Sequence, residues 1–390
     1  MSLTLNESLN NLQLSGIRRI TALAKQTPGC VLLTLGEPDA DTAPQVKAQV
    51  GVALDDNWTH YPPNNGHEFL RQALSDHMAQ KRGLNYSAGE IIVTAGATEA
   101  LFVALSTVMN PGDEVLVPTP AFGLYESIIT LNRGVPVFVD TRATDFQLTE
   151  DLLESAVTPR TKAIVITSPN NPTGCILNAD SLAAVAKLAQ QHDLFVICDD
   201  VYGRLVYDLP ATEAREGIDG YPSFAARYPE LRDRIMVCDS FSKPYAMTGW
   251  RLGWFAADAA LTAQASKIHQ YMISSVPSFL QHAAAEALQQ DIQPALERYR
   301  ERRALVLRRL AEMGLDVVEP AGAFYAFPDV RKFGLASEEF CTRLIQEQGV
   351  ALVPGSCFAS EGFVRLSYCC SLENIQLGLD RLEAFIATLA

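Results

Sequence analysis

No stretch of uncharged apolar residues in this chain reaches the roughly 20 residues that a helix needs to cross a bilayer. The opening MSLTLNESLNNLQL has neither the basic start nor the apolar centre of a secretion signal, so the sequence implies a soluble protein of the cytoplasm. Eight cysteines, at 30, 175, 198, 238, 341, 357, 369 and 370, are scattered without a C-x-x-C or a Cys/His ligand spacing. That argues against a disulfide framework and a zinc site, and suits thiols kept reduced. Positive charge is scarce: 31 Lys and Arg face 45 Asp and Glu, a net charge of -14. Such a surface repels phosphate backbones and anionic membranes unless a local basic patch exists, so neither nucleic acid nor membrane is an expected partner. The one basic run, RYRERRALVLRR at 298–309, carries apolar residues at helical spacing and reads as a solvated helix face. G-x-x-x-x-G-K-[ST], G-x-G-x-x-G, H-E-x-x-H and G-x-S-x-G are all missing, which removes the commonest nucleotide, zinc-protease and serine-hydrolase signatures.

What is present is apolar and periodic. At 390 residues with 48% hydrophobic content, the chain is long enough for two domains and can bury a core in each. From residue 90 onward, short β-rich runs alternate with helical patterns: EIIVTAG then ATEALFVALSTVM, DEVLVPTP then FGLYESIITL, VPVFVD, KAIVITSPN then DSLAAVAKLAQQHD, LFVICDD and RIMVCDSF. Strands buried on both faces look like this, and the alternation predicts an α/β fold with a mainly parallel sheet sandwiched by helices. Beyond about residue 285 a long amphipathic helix, 284–313, and short strands (LDVVEP, AFYAFPDV, GVALVPG, FVRLSY) predict a smaller α+β domain. The expected division is an N-terminal arm with part of the small domain at 1–40, a large domain at 41–285 and the small C-terminal domain at 286–390.

In open parallel sheets, ligands gather at the carboxyl ends of the strands, and the polar motifs of this chain fall there. Lys243 stands out in SFSKPYAMTGWRLG, among serines and small residues, with Arg251 eight positions on. A lysine there is either a solvated loop charge or an amine made nucleophilic by burial and neighbouring cations. Arg251 is a fork suited to a phosphate or a surface arginine paired with a carboxylate. Gly96-Ala97-Thr98 ends a strand and opens a helix, which suits an anion and equally an ordinary helix cap. Asp199 and Asp200 close the buried run VICDD, and Arg365 sits in the apolar strand FVRLSY, where an unpaired charge is expensive to bury.

Taken in chain order, TAGATEA, PTPAFGLY, SPNNPTG, ICDDVYG, SFSKPYAMTGWRLG and FVRLSY resemble the fold-type I pyridoxal-phosphate aminotransferases of class I/II, from LTLGEPD at 33–39 to residue 368. The resemblance implies a cofactor, pyridoxal 5'-phosphate, joined as a Schiff base to Lys243, whose freed amine later moves the substrate proton. It makes Arg251, Ser240, Ser242 and the Gly96-Ala97-Thr98 turn the phosphate site. The D-x-x-Y spacing selects Asp199 over Asp200 as the partner of the ring nitrogen, with Tyr202 and Asn171 on the ring hydroxyl and Phe122 stacked on the ring face. Arg365 would grip the substrate α-carboxylate beside the backbone of Gly36. Tyr61 in HYPPNNG resembles the tyrosine that reaches the neighbouring subunit's cofactor, which implies a homodimer with shared sites, though PPNN is also an ordinary turn.

The implied reaction moves an amino group from an L-amino acid to a 2-oxo acid in two half-reactions. Rival readings are a carbon–sulfur β-lyase or a carbon–carbon bond-forming enzyme of the same fold, and a binding module descended from an enzyme. Loss of Lys243, Asp199 or Arg365 would favour that module, and all three are present. Related aspartate aminotransferases neutralise the distal carboxylate with a partner arginine, in a stretch corresponding to QYMISSVPSFLQ at 270–281, or with a lysine at the position of Thr98. Here neither exists, and Lys267 and His269 are the nearest basic residues. Tyr271, Met272 and Phe279 suit an apolar side chain, so a neutral, aromatic or large apolar donor is expected, with an aspartate or acyl-diamino-acid aminotransferase as the alternative. Arg18 in SGIRRI is a candidate cation for a distal carboxylate.

Overall fold

The computed structural model describes residues 5–10, 12, 14–207, 209 and 218–389; residues 1–4, 11 and 13 of the expected arm lie outside the described residues. After a two-residue strand β1 (Val31–Leu32), seven strands form the main sheet: β2 (Ile91–Thr94), β3 (Glu114–Thr119), β4 (Val135–Asp140), β5 (Thr161–Thr167), β6 (Phe195–Asp199), β7 (Ile235–Ser240) and β8 (Gly253–Ala257). Their order is β2-β8-β7-β6-β5-β3-β4. All neighbours run parallel except β8, which is antiparallel to both β2 and β7. This is the mainly parallel α/β fold that the alternation predicts. Every residue of β2, β7 and β8 is buried, as expected of strands covered by helices on both faces. The sheet reading passed over β8 because its GWFAA follows directly on the GWR motif with no separate turn signal.

The remaining strands are β9 (Tyr325–Ala326), β10 (Val350–Ala351), β11 (Val353–Pro354) and β12 (Val364–Ser367). β12 lies antiparallel between β11 and β9, while β1 pairs in parallel with β10. That pairing carries the chain just beyond β1, Leu33 to Gly36, alongside β12 and its Arg365; the Ser367 N–H donates to the Leu33 carbonyl at 2.9 Å.

Three expectations differ from the structure. The helix expected over 284–313 is two helices, Ser278–Ala287 and Gln293–Glu312. Pro294 has no N–H to give and is tolerated only in a first turn, and the Asp291 carboxylate accepts the Gln293 N–H at 2.9 Å, so a new helix begins there. LDVVEP forms no strand; its Leu315 N–H donates to the Leu310 carbonyl at 2.9 Å and its Asp316 carbonyl accepts the Asp329 N–H at 2.8 Å. The run at 298–309 is not wholly a solvated face either. Arg302 is buried and forks onto Asp39 at 2.9 and 2.7 Å, tying this helix to the GEPD segment. Among the described residues no helix is long and apolar enough to cross a membrane, and no cluster of His, Cys, Asp or Glu could hold a metal ion.

Candidate active site

β5, β6 and β7 end side by side at Thr167, Asp199 and Ser240, and their register pairs Thr167 with Asp199 and Asp199 with Cys238. The loop after β2 turns at Gly96, where φ is +81°, into the helix Ala97–Val108. A side chain at Gly96 would meet the Arg251 guanidinium at 2.7 Å, so only glycine lets that cation lie against the turn. These ends, with Leu35-Gly36 and Arg365 on the opposite side, enclose a cavity of about 230 Å³.

Of the residues singled out in the sequence, Gly36, Ala97, Thr98, Phe122, Asn171, Asp199, Tyr202, Ser240, Ser242, Lys243, Arg251 and Arg365 line this cavity. Gly96 stands at its edge through Arg251. Tyr61 does not line it and is 93% exposed.

The Lys243 amine donates to the Gly36 carbonyl at 2.7 Å and lies 6.0 Å from the centre of the Tyr202 ring. Burial lowers its pKa to about 8; Arg365 and Arg251 act in the same direction, against Cys369 and Glu37. Asp199 accepts a hydrogen bond from the Tyr125 hydroxyl at 2.6 Å. Burial raises its pKa to about 6, against the stabilising hydrogen bonds from Tyr125 and the Val201 N–H, so it is a carboxylate at neutral pH. Asp200 points the other way, as alternate residues leaving a strand do, and pairs with buried Arg82 at 3.2 Å. The Tyr202 and Tyr325 hydroxyls meet at 2.7 Å.

Arg365 is 2% exposed and donates to the Asn171 side-chain oxygen at 2.7 Å and to the Thr34 carbonyl at 2.5 Å, while its Nε has no partner. The Tyr325 and Phe358 rings flank the guanidinium at 4.5 and 5.0 Å. Among the described residues no carboxylate pairs with Arg365 or with Arg251, which removes the structural ion-pair reading of both. Arg251 bonds only backbone carbonyls, Thr248 at 3.0 Å and Ala95 at 3.5 Å. Two cations on one cavity with no counter-ion ask for two anionic groups.

Sequence reasoning missed Tyr125 and Tyr325. The first lies three residues beyond Phe122 in FGLYES; a helical offset could have pointed to it. Tyr325 packs on Gly36 so tightly that a Cβ there would lie 1.8 Å from its hydroxyl, a contact between distant segments with no local signal. His269, considered as a basic residue near the substrate, is fully buried elsewhere, against Glu99.

The family model for aminotransferase class I and II matches residues 28–382. The chain belongs to that family. It is 42% identical over 388 residues, 98% of this chain and 95% of the other, to a Bacillus subtilis protein described as a probable N-acetyl-LL-diaminopimelate aminotransferase. It is 38% identical, over 98% of each chain, to the aspartate aminotransferase of Pyrococcus abyssi. The crystal structure of an aromatic aminotransferase from Pyrococcus horikoshii superposes with a TM-score of 0.87 at 37% identity, covering 95% of this chain and all of that one. The protein is an aminotransferase and uses pyridoxal phosphate, as its family does. The cavity fits that group: a buried amine with a lowered pKa, a buried carboxylate held by the Tyr125 hydroxyl, and a cation without counter-ion beside a helix start. The relatives are named for different amino acids, so membership of the family leaves the donor open.

Proposed function

We propose that this aminotransferase acts on a neutral, aromatic or large apolar L-amino acid, in two half-reactions on a cytoplasmic homodimer. The observation that carries the substrate reading is the composition of the cavity's outer side. Ile17, Leu35, Leu101, Phe122 and Leu124 line the cavity, and among the described residues its only cations are Lys243, Arg251 and Arg365, of which Arg365 alone lies on the outer side. A distal carboxylate would there be desolvated without a partner, which costs several kcal/mol.

In this reading Arg251, Ser240, Ser242 and the N–H groups of Ala97 and Thr98 hold the phosphate, with Gly96 giving the turn its shape. Arg365, held by Asn171 and Thr34 with its Nε free, takes the substrate α-carboxylate beside Gly36. Asp199 keeps a proton on the ring nitrogen, Tyr202 and Asn171 bond the ring hydroxyl, and Phe122 packs on the ring. Bound there, pyridoxal phosphate supplies an aldehyde for the amino group and a ring that withdraws electrons from Cα. Lys243 supplies the amine that holds this aldehyde at rest and then takes the proton from the substrate Cα. A pKa of about 8 suits both duties, since a useful fraction is free base near neutral pH.

Exposed apolar residues support the dimer: Tyr61 is 93% exposed, Tyr271 88%, Val52 53% and Leu54 44%. Tyr61 then reaches the partner's cofactor. We divide the chain into an arm at 1–40, a large domain at 41–285 and a small domain at 286–390. A second reading, an acyl-diamino-acid donor, has one observation in its favour. A cavity of about 630 Å³ adjoins the first through Ile17, Thr98, Phe122 and Leu124, and exposed Arg18 and Ser356 lie on it.

Steady-state kinetics with phenylalanine, leucine, aspartate and an N-acyl-diaminopimelate, each with 2-oxoglutarate, separates these readings. The neutral donors should exceed aspartate at least tenfold in kcat/KM, about 1.4 kcal/mol in transition-state binding. Aspartate as the best donor sinks the proposal, and the acyl compound as the best establishes the second reading.

A further inference from the structure

One buried ionisable pair has no part in the chemistry above. His269 is fully buried and Glu99 is 5% exposed. The His269 Nδ1 lies 2.7 Å from Glu99 Oε1, and its Nε2 lies 2.8 Å from the Asn64 carbonyl. The other carboxyl oxygen, Glu99 Oε2, accepts the Ala95 N–H at 2.5 Å. Each ring nitrogen therefore faces an oxygen. Isolated buried charges are costly, and a half-satisfied polar cluster is worse than an apolar core, but here every one of these contacts is made.

The two ends of the cluster are what give it meaning. Ala95 and Gly96 form the turn that opens the helix Ala97–Val108, where Arg251 rests; Glu99 binds that turn from within the helix's own first turn. Asn64 lies three residues after Tyr61, in a segment pinned at two further points: the Asn64 amide donates to the Ser266 carbonyl at 3.3 Å, and the Val93 N–H donates to the Asn65 carbonyl at 3.0 Å. His269 comes from a third element, the helix Ala259–Ile273. The cluster locks together the turn beneath Arg251 and the base of the Tyr61 loop.

We propose that Glu99 and His269 are positioning residues for the cofactor phosphate, holding the Ala95–Thr98 turn and the Tyr61 loop at fixed separation; this rests on the reading of that turn as the phosphate site. Glu99→Leu keeps much of the side-chain volume but removes both oxygens, so the Ala95 N–H loses its acceptor and His269 Nδ1 loses its partner, whichever tautomer the ring adopts. Glutamine at position 269 leaves Glu99 on Ala95 and slackens the Asn64 side.

The test compares pyridoxal phosphate with pyridoxal, which keeps the aldehyde and ring but lacks the phosphate. Both are titrated into apoenzyme and followed by cofactor absorbance. Glu99→Leu should raise the Kd of pyridoxal phosphate roughly tenfold or more, the scale on which groups that orient a ligating group act, and leave that of pyridoxal within about threefold. His269→Gln, the milder variant, should shift the same ratio in the same direction. A merely structural role would lower Tm and weaken both compounds alike, and that result overturns the proposal. Arg251→Gln serves as the reference. If it loses phosphate selectivity while both other variants keep it, the positioning role is wrong and the phosphate site stands. If none of the three loses it, both fall.

Discussion

The inner and outer sides of the cavity are built on different principles. The inner side is three strand ends and a helix start, and it presents charge: Asp199, Lys243 and Arg251, with two serines between. The outer side is assembled from Ile17, Leu35, Gly36, Tyr325 and Arg365, brought together by the pairing of β1 with β10 and of β12 with β9. It presents apolar surface around a single guanidinium. In the proposed reading the inner side handles the cofactor, and the outer side meets the substrate, its shared α-carboxylate at Arg365 and its variable side chain on the apolar surface. Relatives named for aspartate, aromatic and acylated substrates can therefore share one fold.

The sharpest way to break this contrast is to remove the inner amine. Lys243→Ala should lower kcat by roughly 10⁴-fold or more, as loss of a group that forms covalent bonds does. Borohydride reduction of the holoenzyme followed by peptide mass spectrometry should place the cofactor on Lys243, and the variant should yield no adduct. An adduct on another lysine would reassign the inner side.

Next in size is the pair of neighbouring carboxylates. Asp199 meets the cavity and Asp200 meets Arg82, so the two should fail differently. Asp199→Asn should cut kcat by about 10³-fold, because its charge is needed most as the carbanion forms. Its stability effect has the opposite sign. The folded pKa of about 6 lies above the ordinary 3.8, so the apoprotein loses about 3 kcal/mol as pH rises between these values and stays at that level above pH 6. Asp199→Asn apoenzyme should then melt higher than the parent at pH 7.5. Asp200→Asn should melt lower than Asp199→Asn, since burial raises the Asp200 carboxyl as well but this change also takes from buried Arg82 one of its two carboxylate partners, Asp200 and Asp239. Equal Tm changes in the two variants would show that the strand end does not divide them in this way.

The smallest expected effect joins the two sides. Lys243 is depressed from 10.5 to about 8, partly by Arg365 across the cavity. The free amine therefore accumulates as pH rises through about 8, and the rate at which apoenzyme captures pyridoxal phosphate should climb with that midpoint. Replacing Arg365 by Leu removes a cation that disfavours the ammonium, so the midpoint should move upward. Stopped-flow absorbance from pH 6.5 to 9.5 measures it; a downward or absent shift would separate the two sides electrostatically.

By itself the sequence determined the class of fold and most of the inner side. Strands buried on both faces leave apolar runs, and the carboxyl ends of neighbouring parallel strands collect the polar residues that follow them, so VICDD, SFSK and the turn at Gly96 could be read locally. The alternation of a strand end even separates Asp199 from Asp200 once its direction is known. Only the tertiary structure decided the rest of the outer side: Gly36 and Arg365 could be read from the resemblance, but Ile17 and Tyr325 join them through pairings between segments some three hundred residues apart. The same holds for Tyr325 against Gly36, for Tyr125 on Asp199, and for Glu99 with His269. Each is a contact across long sequence separation, whose only trace in the chain is a single residue with no periodicity of its own. In the proposed reading the substrate's side chain meets the outer-side contacts among these, so local pattern could announce the chemistry while leaving the substrate to packing.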